Sequence, residues 1–231
     1  MKYLKEPKYI IAVGVVLVVV VIGAAAWEKQ ARIDARTLAP RQVDLAAEER
    51  TALEQEIVAA EQELADEDDA NDFNAYVKIA LARGKLGDRE GEAETYRTMN
   101  AKYPGNYLSY QNLGVLYQED KKCDLAREQY LRAIENAPRI PHVYRSIVNL
   151  YTYDCQEYVH EIPAVLQGGL AIVPDSVDFM SMMAVYHRDF GNLEDAIHWL
   201  ELILVFDQEN ASVLAEVKDL QKRLEAQRTG K

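Results

Sequence analysis

Residues 107–140 run YLSYQNLGVLYQEDKKCDLAREQYLRAIENAPRI, and the rest of the chain falls into register with them. Tyr110, Leu113, Gly114 and Tyr117 stand at i, i+3, i+4 and i+7, one face of a helix. Ala126, Tyr130 and Ala133 follow at steps of four and three, and Pro138 stops that second helix. A small residue such as Gly114 or Ala126 lets the two helices of a hairpin approach closely, while aromatic rings fill the space beside them. Tyr76, Tyr110 and Tyr144 are 34 residues apart, so the unit recurs.

Counted from Tyr107, these eight residues hold places 4, 7, 8, 11, 20, 24, 27 and 32. The stretch therefore resembles a tetratricopeptide repeat. The resemblance implies an all-α fold, a right-handed superhelix of stacked helix hairpins. Upstream, residues 73–106 repeat the frame with Tyr76, Ile79, Ala80, Gly87, Tyr96 and Pro104, but Arg83 stands for an aromatic and Glu92 for an alanine. Downstream, Tyr144, Ile147, Val148 and Tyr151 keep register, while Pro174 comes 36 residues after Pro138. The third repeat thus carries two extra residues, expected around Asp154 to Tyr158. A fourth follows with Met180, Met183, Ala184, Gly191, Ala196, Leu200 and Ile203. Four repeats over 73–210 are expected, then a capping helix and tail over 211–231, with Leu214, Val217, Leu220 and Leu224 on its apolar face. Long β-branched runs are absent outside the first 27 residues, and a 49% hydrophobic content in 231 residues suffices for a continuous core.

After a short basic tail, residues 1–8, no charge occurs from Tyr9 to Trp27. As a helix those nineteen residues would reach about 28 Å, close to the thickness of a hydrocarbon core. Residues 9–27 are expected to be a transmembrane signal anchor, with cleavage near Ala24 and Ala26 as the competing reading. Lys2, Lys5 and Lys8 nearly balance Lys29, Arg32, Arg36 and Arg41 across the segment, but a short basic tail before a first apolar segment suits a signal anchor. That puts the repeats on the extracytoplasmic side, periplasmic in a bacterium; cytosol-facing repeats and secretion after cleavage are the alternatives. Residues 28–72 form a helical stalk or linker, in which Val43, Ala46, Arg50, Leu53, Ile57, Ala60 and Leu64 alternate at steps of three and four. Such a seam packs either on the first repeat or, over 43–64, against a second copy as a short coiled-coil homodimer. Asp66, Glu67, Asp68, Asp69 and Asp72 then crowd together, which predicts a flexible break.

Beyond residue 27 the chain holds 23 basic and 37 acidic side chains, a net charge of −14. Nucleic acid and anionic lipid surfaces are excluded as partners by that balance, and another protein or peptide is favoured. Cys123 and Cys155 fall in corresponding inter-helix turns of neighbouring repeats. A disulfide between them is geometrically open if one turn leans toward the other; the alternative is two unrelated thiols. His160 and Glu161 begin a zinc-protease motif, but Ala164 stands where its second histidine belongs, so no metal is expected. Met180, Met182, Met183 and Met99 read as core packing. No phosphate loop, nucleophile elbow or cysteine pair of redox spacing occurs; neither catalysis nor a cofactor is expected.

In tetratricopeptide arrays the second, fifth, ninth and twelfth places of each first helix line a concave groove. The resemblance carries that role to Asn74, Val77, Leu81 and Gly84; Leu108, Gln111, Val115 and Gln118; His142, Arg145, Asn149 and Thr152; Asp178, Ser181, Val185 and Arg188. Arg145 and Asn149 are also similar to half of a carboxylate clamp, although Met182 replaces its second asparagine. A buried Arg145 paired with an internal acid is the structural alternative. The function implied is a membrane-anchored docking module for a peptide or protein segment, in a complex of envelope assembly, secretion or maturation. A scaffold that self-associates through stalk and solenoid is the alternative.

Overall fold

The computed structural model describes residues 36–65 and 72–230. The chain divides into Met1–Pro40, of which only the last five residues are described, and Arg41–Lys231; the helical array lies in the second unit. The expected basic tail, the segment 9–27 and the acidic run Asp66 to Asp69 lie outside the described residues. Among the described residues no helix is long and apolar enough to cross a membrane, and the regular structure is helical throughout.

Among the described residues ten α-helices follow one another: α1 Ala47–Glu63, α2 Asp72–Lys85, α3 Arg89–Lys102, α4 Tyr107–Glu119, α5 Cys123–Asn136, α6 Pro141–Asn149, α7 Ile162–Ile172, α8 Val177–Asp189, α9 Leu193–Phe206 and α10 Ala211–Thr229. Each packs chiefly on its neighbours in sequence, as a solenoid requires. Helix starts are set locally by side chains that accept the otherwise orphaned first-turn amides. Asp88 caps α3, Asn106 α4, Ser176 α8, Asn192 α9 and Asn210 α10.

Within the hairpins the predicted places form the core. Gly114 lies against Tyr130, where an added Cβ would come within 2.7 Å of the ring. Tyr96, Tyr117, Tyr130, Tyr144 and Tyr151 are all buried. Arg83, in place of an aromatic, bridges helices instead: its guanidinium donates to the Gly91 carbonyl at 3.2 Å and Thr95 Oγ1 at 3.0 Å, and meets Glu61 of α1. The heptad seam of α1 packs within the chain. Leu53 and Ala60 are buried, Ile57 and Leu64 lie against the cluster of Ala60, Ala75 and Ile79, and Arg50 stays exposed. Ile57, Ala60 and Leu64 of that seam thus pack against α2, while Ala46 stays exposed. At the other end Val217 and Leu220 of α10 complete the cluster around Leu193, Ala196 and Leu200.

One expectation is corrected. Asp72 is not part of a flexible break: it opens α2, is buried at 3% exposure and pairs with Lys102 of α3. The two extra residues of the third repeat fall in an irregular stretch that includes the expected Asp154 to Tyr158. They are absorbed by a π-helical turn, Leu150–Asp154, that widens the end of α6, and by a 3₁₀ stretch, Gln156–Glu161, that leads into α7.

Candidate functional site

Helices α2, α4, α6 and α8 present their second, fifth, ninth and twelfth places on one face. Four apolar side chains stand open along it: Leu81 at 51% exposure, Leu108 at 42%, Val115 at 40% and Val185 at 43%. His142, Arg145 and Asn149 are exposed as well, and Ser181 is half-buried. Arg145 meets Asp178 of α8 at 3.2 Å with both side chains more than half exposed, so it is paired with an acid of the chain but not buried.

Three of the predicted groove residues have structural duties. Gln111 is buried; its amide reaches His142 Nε2 at 2.9 Å and Ser146 Oγ at 3.0 Å, joining α4 to α6 where the two helices come together. It is no free contact for a partner. Gln118 accepts a hydrogen bond from the Tyr130 hydroxyl at 2.6 Å and donates to Asp154. Arg188 binds Asp189 at 2.9 Å and Glu216 at 2.7 Å, which fastens α8 to α10.

Between the third and fourth hairpins the face deepens into a cleft of about 270 Å³ lined by Arg145, Asn149, Tyr153, Met182, Val185 and Phe190, among others. Tyr153, in the π-helical turn, is 73% exposed and Phe190 53% exposed, and both line this cleft. Met182, expected in the core, lines the cleft, while Met180, Met183 and Met99 are buried.

The turn is tied from behind. Cys123, the first residue of α5 rather than a turn residue, is joined to Cys155 by a disulfide of 2.02 Å, with Cα atoms 5.7 Å apart. Beside it Asp154 accepts from Lys121 and Gln118, which hold its carboxyl below the usual range. Glu161 accepts from Arg127 Nη2 at 2.7 Å and from the Tyr151 hydroxyl at 3.1 Å, so the glutamate of the histidine–glutamate pair is a structural tie. Among the described residues the one grouping with metal-ligand spacing is Cys123, Cys155 and Glu157, and its two sulfurs are joined to each other.

Toward the first two hairpins lies a hollow whose lining includes Leu81, Gly84, Glu92, Val115, Glu119 and Arg41. Gly84 and Glu92 explain one another. A Cβ on Gly84 would stand 2.5 Å from Glu92 Oε2, so the acid replaces the expected alanine because the facing residue has no side chain. Burial, then Glu119, pushes Glu92 up from 4.5 to about 7, with Asp88 adding to the rise and Arg41 and Arg89 opposing it. Tyr96, beside it, is pushed up to about 12, chiefly by burial.

A carboxyl whose folded pKa is raised binds more protons folded than unfolded between about pH 4.5 and 7. Its contribution is therefore favourable at acid pH and is lost as pH rises through that window. Glu92→Gln is expected to be more stable than the parent at pH 8 by roughly 1–2 kcal/mol, a figure reduced for partial solvent screening, and indistinguishable near pH 4.5. Urea unfolding of both proteins at the two pH values measures this; equal differences at both would contradict it.

Sequence spacing marks Glu92 only as a departure from the repeat and gives no prominence to Arg41, Tyr153 or Phe190. A signal for the first is present: glycine at place twelve of the same repeat.

No protein-family model matches the chain, and no curated protein matches it. Among solved structures, the crystal structure of MamA is similar over 74% of this chain and 99% of that one, at 16% identity and a TM-score of 0.50. PilF of Pseudomonas aeruginosa is 19% identical over 66% of this chain and 68% of its own, with a TM-score of 0.47. TTC0263, a thermophilic tetratricopeptide protein of Thermus thermophilus, is 17% identical over 74% and 93%, with a TM-score of 0.45. The likeness is one of fold: the helical array is tetratricopeptide-like.

Proposed function

We propose that this tetratricopeptide-like array is a docking module that takes an extended or helical segment of another protein along the face of α2, α4, α6 and α8. The observation that carries the reading is the line of exposed apolar side chains on that face, Leu81, Leu108, Val115 and Val185, leading to the cleft beside Tyr153 and Phe190. Apolar side chains gathered on a concave surface, with a few polar groups to fix orientation, suit a segment that buries its own apolar anchors there. The large anchor enters the cleft, and Arg145 and Asn149 fix the backbone or a carboxylate beside it. A net charge of −14 beyond residue 27 argues against nucleic acid as the partner.

Residues 9–27 anchor this module in a membrane, with the repeats outside the cytoplasm as part of an envelope-associated complex of assembly, secretion or maturation. Two observations support that placement: the nineteen uncharged residues Tyr9 to Trp27, and the pairing of the chain's two cysteines, which persists in oxidising compartments.

The test separates binding from folding. Arg145→Glu with Asn149→Ala is expected to lower recovery of the co-purifying partner at least tenfold. Because the Arg145–Asp178 pair is solvent-exposed, its loss should cost less than about 1 kcal/mol and leave the melting temperature nearly unchanged. Undiminished recovery would remove the groove as the docking face; recovery and melting falling together would make Arg145 structural.

A further inference from the structure

The groove's end at the first two hairpins contains an acid without a fixed partner. Glu92 forms no ion pair and accepts no side-chain hydrogen bond among the described residues. The place where Gly84 lacks a side chain opens the groove onto its carboxylate. Glu119 supplies a second carboxylate on the same hollow. The nearby Arg89 meets Glu119 but makes no ion pair with Glu92, and its buried guanidinium is shared with Asp120 and the Leu116 carbonyl.

The chain already places one cation there. Arg41, from the irregular segment before α1, lines the hollow and pairs with Glu119, half-exposed. Its backbone is fixed as well: Arg41 N–H donates to the Gly87 carbonyl at 2.8 Å. Gly87 has φ 81°, and a Cβ there would stand 2.1 Å from the Arg41 carbonyl oxygen. So a guanidinium carried on a backbone hydrogen-bonded to the rim is what this hollow accommodates.

We propose that the hollow between the first two hairpins receives an arginine or lysine side chain of the docked segment, and that Arg41 is its intramolecular competitor. This inference rests on the groove being the docking face, and names the chemistry of what docks: a segment with an apolar anchor for the cleft and a basic residue for the opposite end. A carboxylate pair presented to a guanidinium fixes register and polarity of the segment as well as adding attraction. Arg41, leaving the site on binding, weakens apparent affinity by the fraction of time it occupies the hollow.

The probe is a displayed library of random twelve-residue peptides, selected in parallel on the full-length chain in detergent and on its Glu92→Gln, Glu119→Gln double variant. Peptides recovered on the parent should carry arginine or lysine at one fixed distance from a large apolar residue. On the double variant the apolar preference should persist and the basic one vanish. Since Glu119 also meets Arg89, a second variant is measured independently: Arg41→Ala should bind a recovered arginine peptide about three- to tenfold tighter than the parent does. Recovery of apolar peptides with no basic preference, an equal basic preference on parent and double variant, or unchanged or weaker binding by Arg41→Ala each overturns the inference while leaving groove docking intact. Failure of the parent to enrich any peptide overturns groove docking itself, and this inference with it.

Discussion

Gly114→Leu should destabilise the array by at least about 3 kcal/mol and lower its melting temperature by roughly 6 °C or more. The reason is local. A Cβ at position 114 would lie 2.7 and 2.8 Å from two carbons of the Tyr130 ring, and leucine adds three further carbons behind it. Tyr130 cannot yield cheaply, because it is buried at 1% exposure and its hydroxyl is hydrogen-bonded to Gln118 at 2.6 Å. Displacing the ring opens α4 from α5 and leaves a buried hydroxyl unsatisfied, two costs that add. In a solenoid such damage divides the array, so the first and last hairpins should lose their mutual cooperativity as well. Gly168→Ala is the internal comparison, since it lies within α7 and nothing stands within 4 Å of the added carbon. There only helix propensity changes, and a gain of about 0.5–1 kcal/mol is expected. Thermal unfolding of both variants checks the pair; a Gly114→Leu protein that melts with the parent would contradict the packing described.

Removing the disulfide should have an effect of similar size. Cys123 and Cys155 are 32 residues apart in sequence, and closing a loop of that length restrains the unfolded chain by about 3–4 kcal/mol. The Cys123→Ser, Cys155→Ser double variant, or the parent in reductant, should melt correspondingly earlier. The loss should concentrate in the third hairpin, where α6 ends in the π-helical turn and α7 begins only after a 3₁₀ stretch. Asp154 still has Lys121 and Gln118 to hold it, so the turn should loosen rather than unfold. Hydrogen exchange resolved along the chain reads this directly: faster exchange over 150–161 is expected, with 107–119 little changed. Identical melting with and without reductant would mean that the bond contributes nothing to stability.

Much of the array is written in local spacing. Gly114 meets Tyr130 within one hairpin, because both lie in the same short stretch and obey one helical repeat. Caps are equally legible, since Asp88, Asn106 and Asn192 act on amides two or three residues away. The groove was legible only as a set of places. Which of its members are free depends on how far neighbouring hairpins lean together, and this removes Gln111 and Arg188 while leaving Val115 and Val185 open. The hollow at the first two hairpins depends on a pairing with no local signature: Arg41 reaches Glu119, 78 residues away. The outward turn of Tyr153 was hidden for another reason. Two extra residues can be accommodated as a loop or as a widened helical turn, and sequence spacing does not distinguish the two.

Groove docking is decided by where a partner touches the array. A photoreactive benzophenone side chain placed at Val185, in the full-length protein in the cells that make it, samples the groove; the same group at the exposed Glu128 of α5 samples a second helix of a hairpin. Groove docking predicts a protein adduct from position 185, none from position 128, and loss of the first when Arg145→Glu and Asn149→Ala are added. An adduct from position 128 with none from position 185 would contradict it.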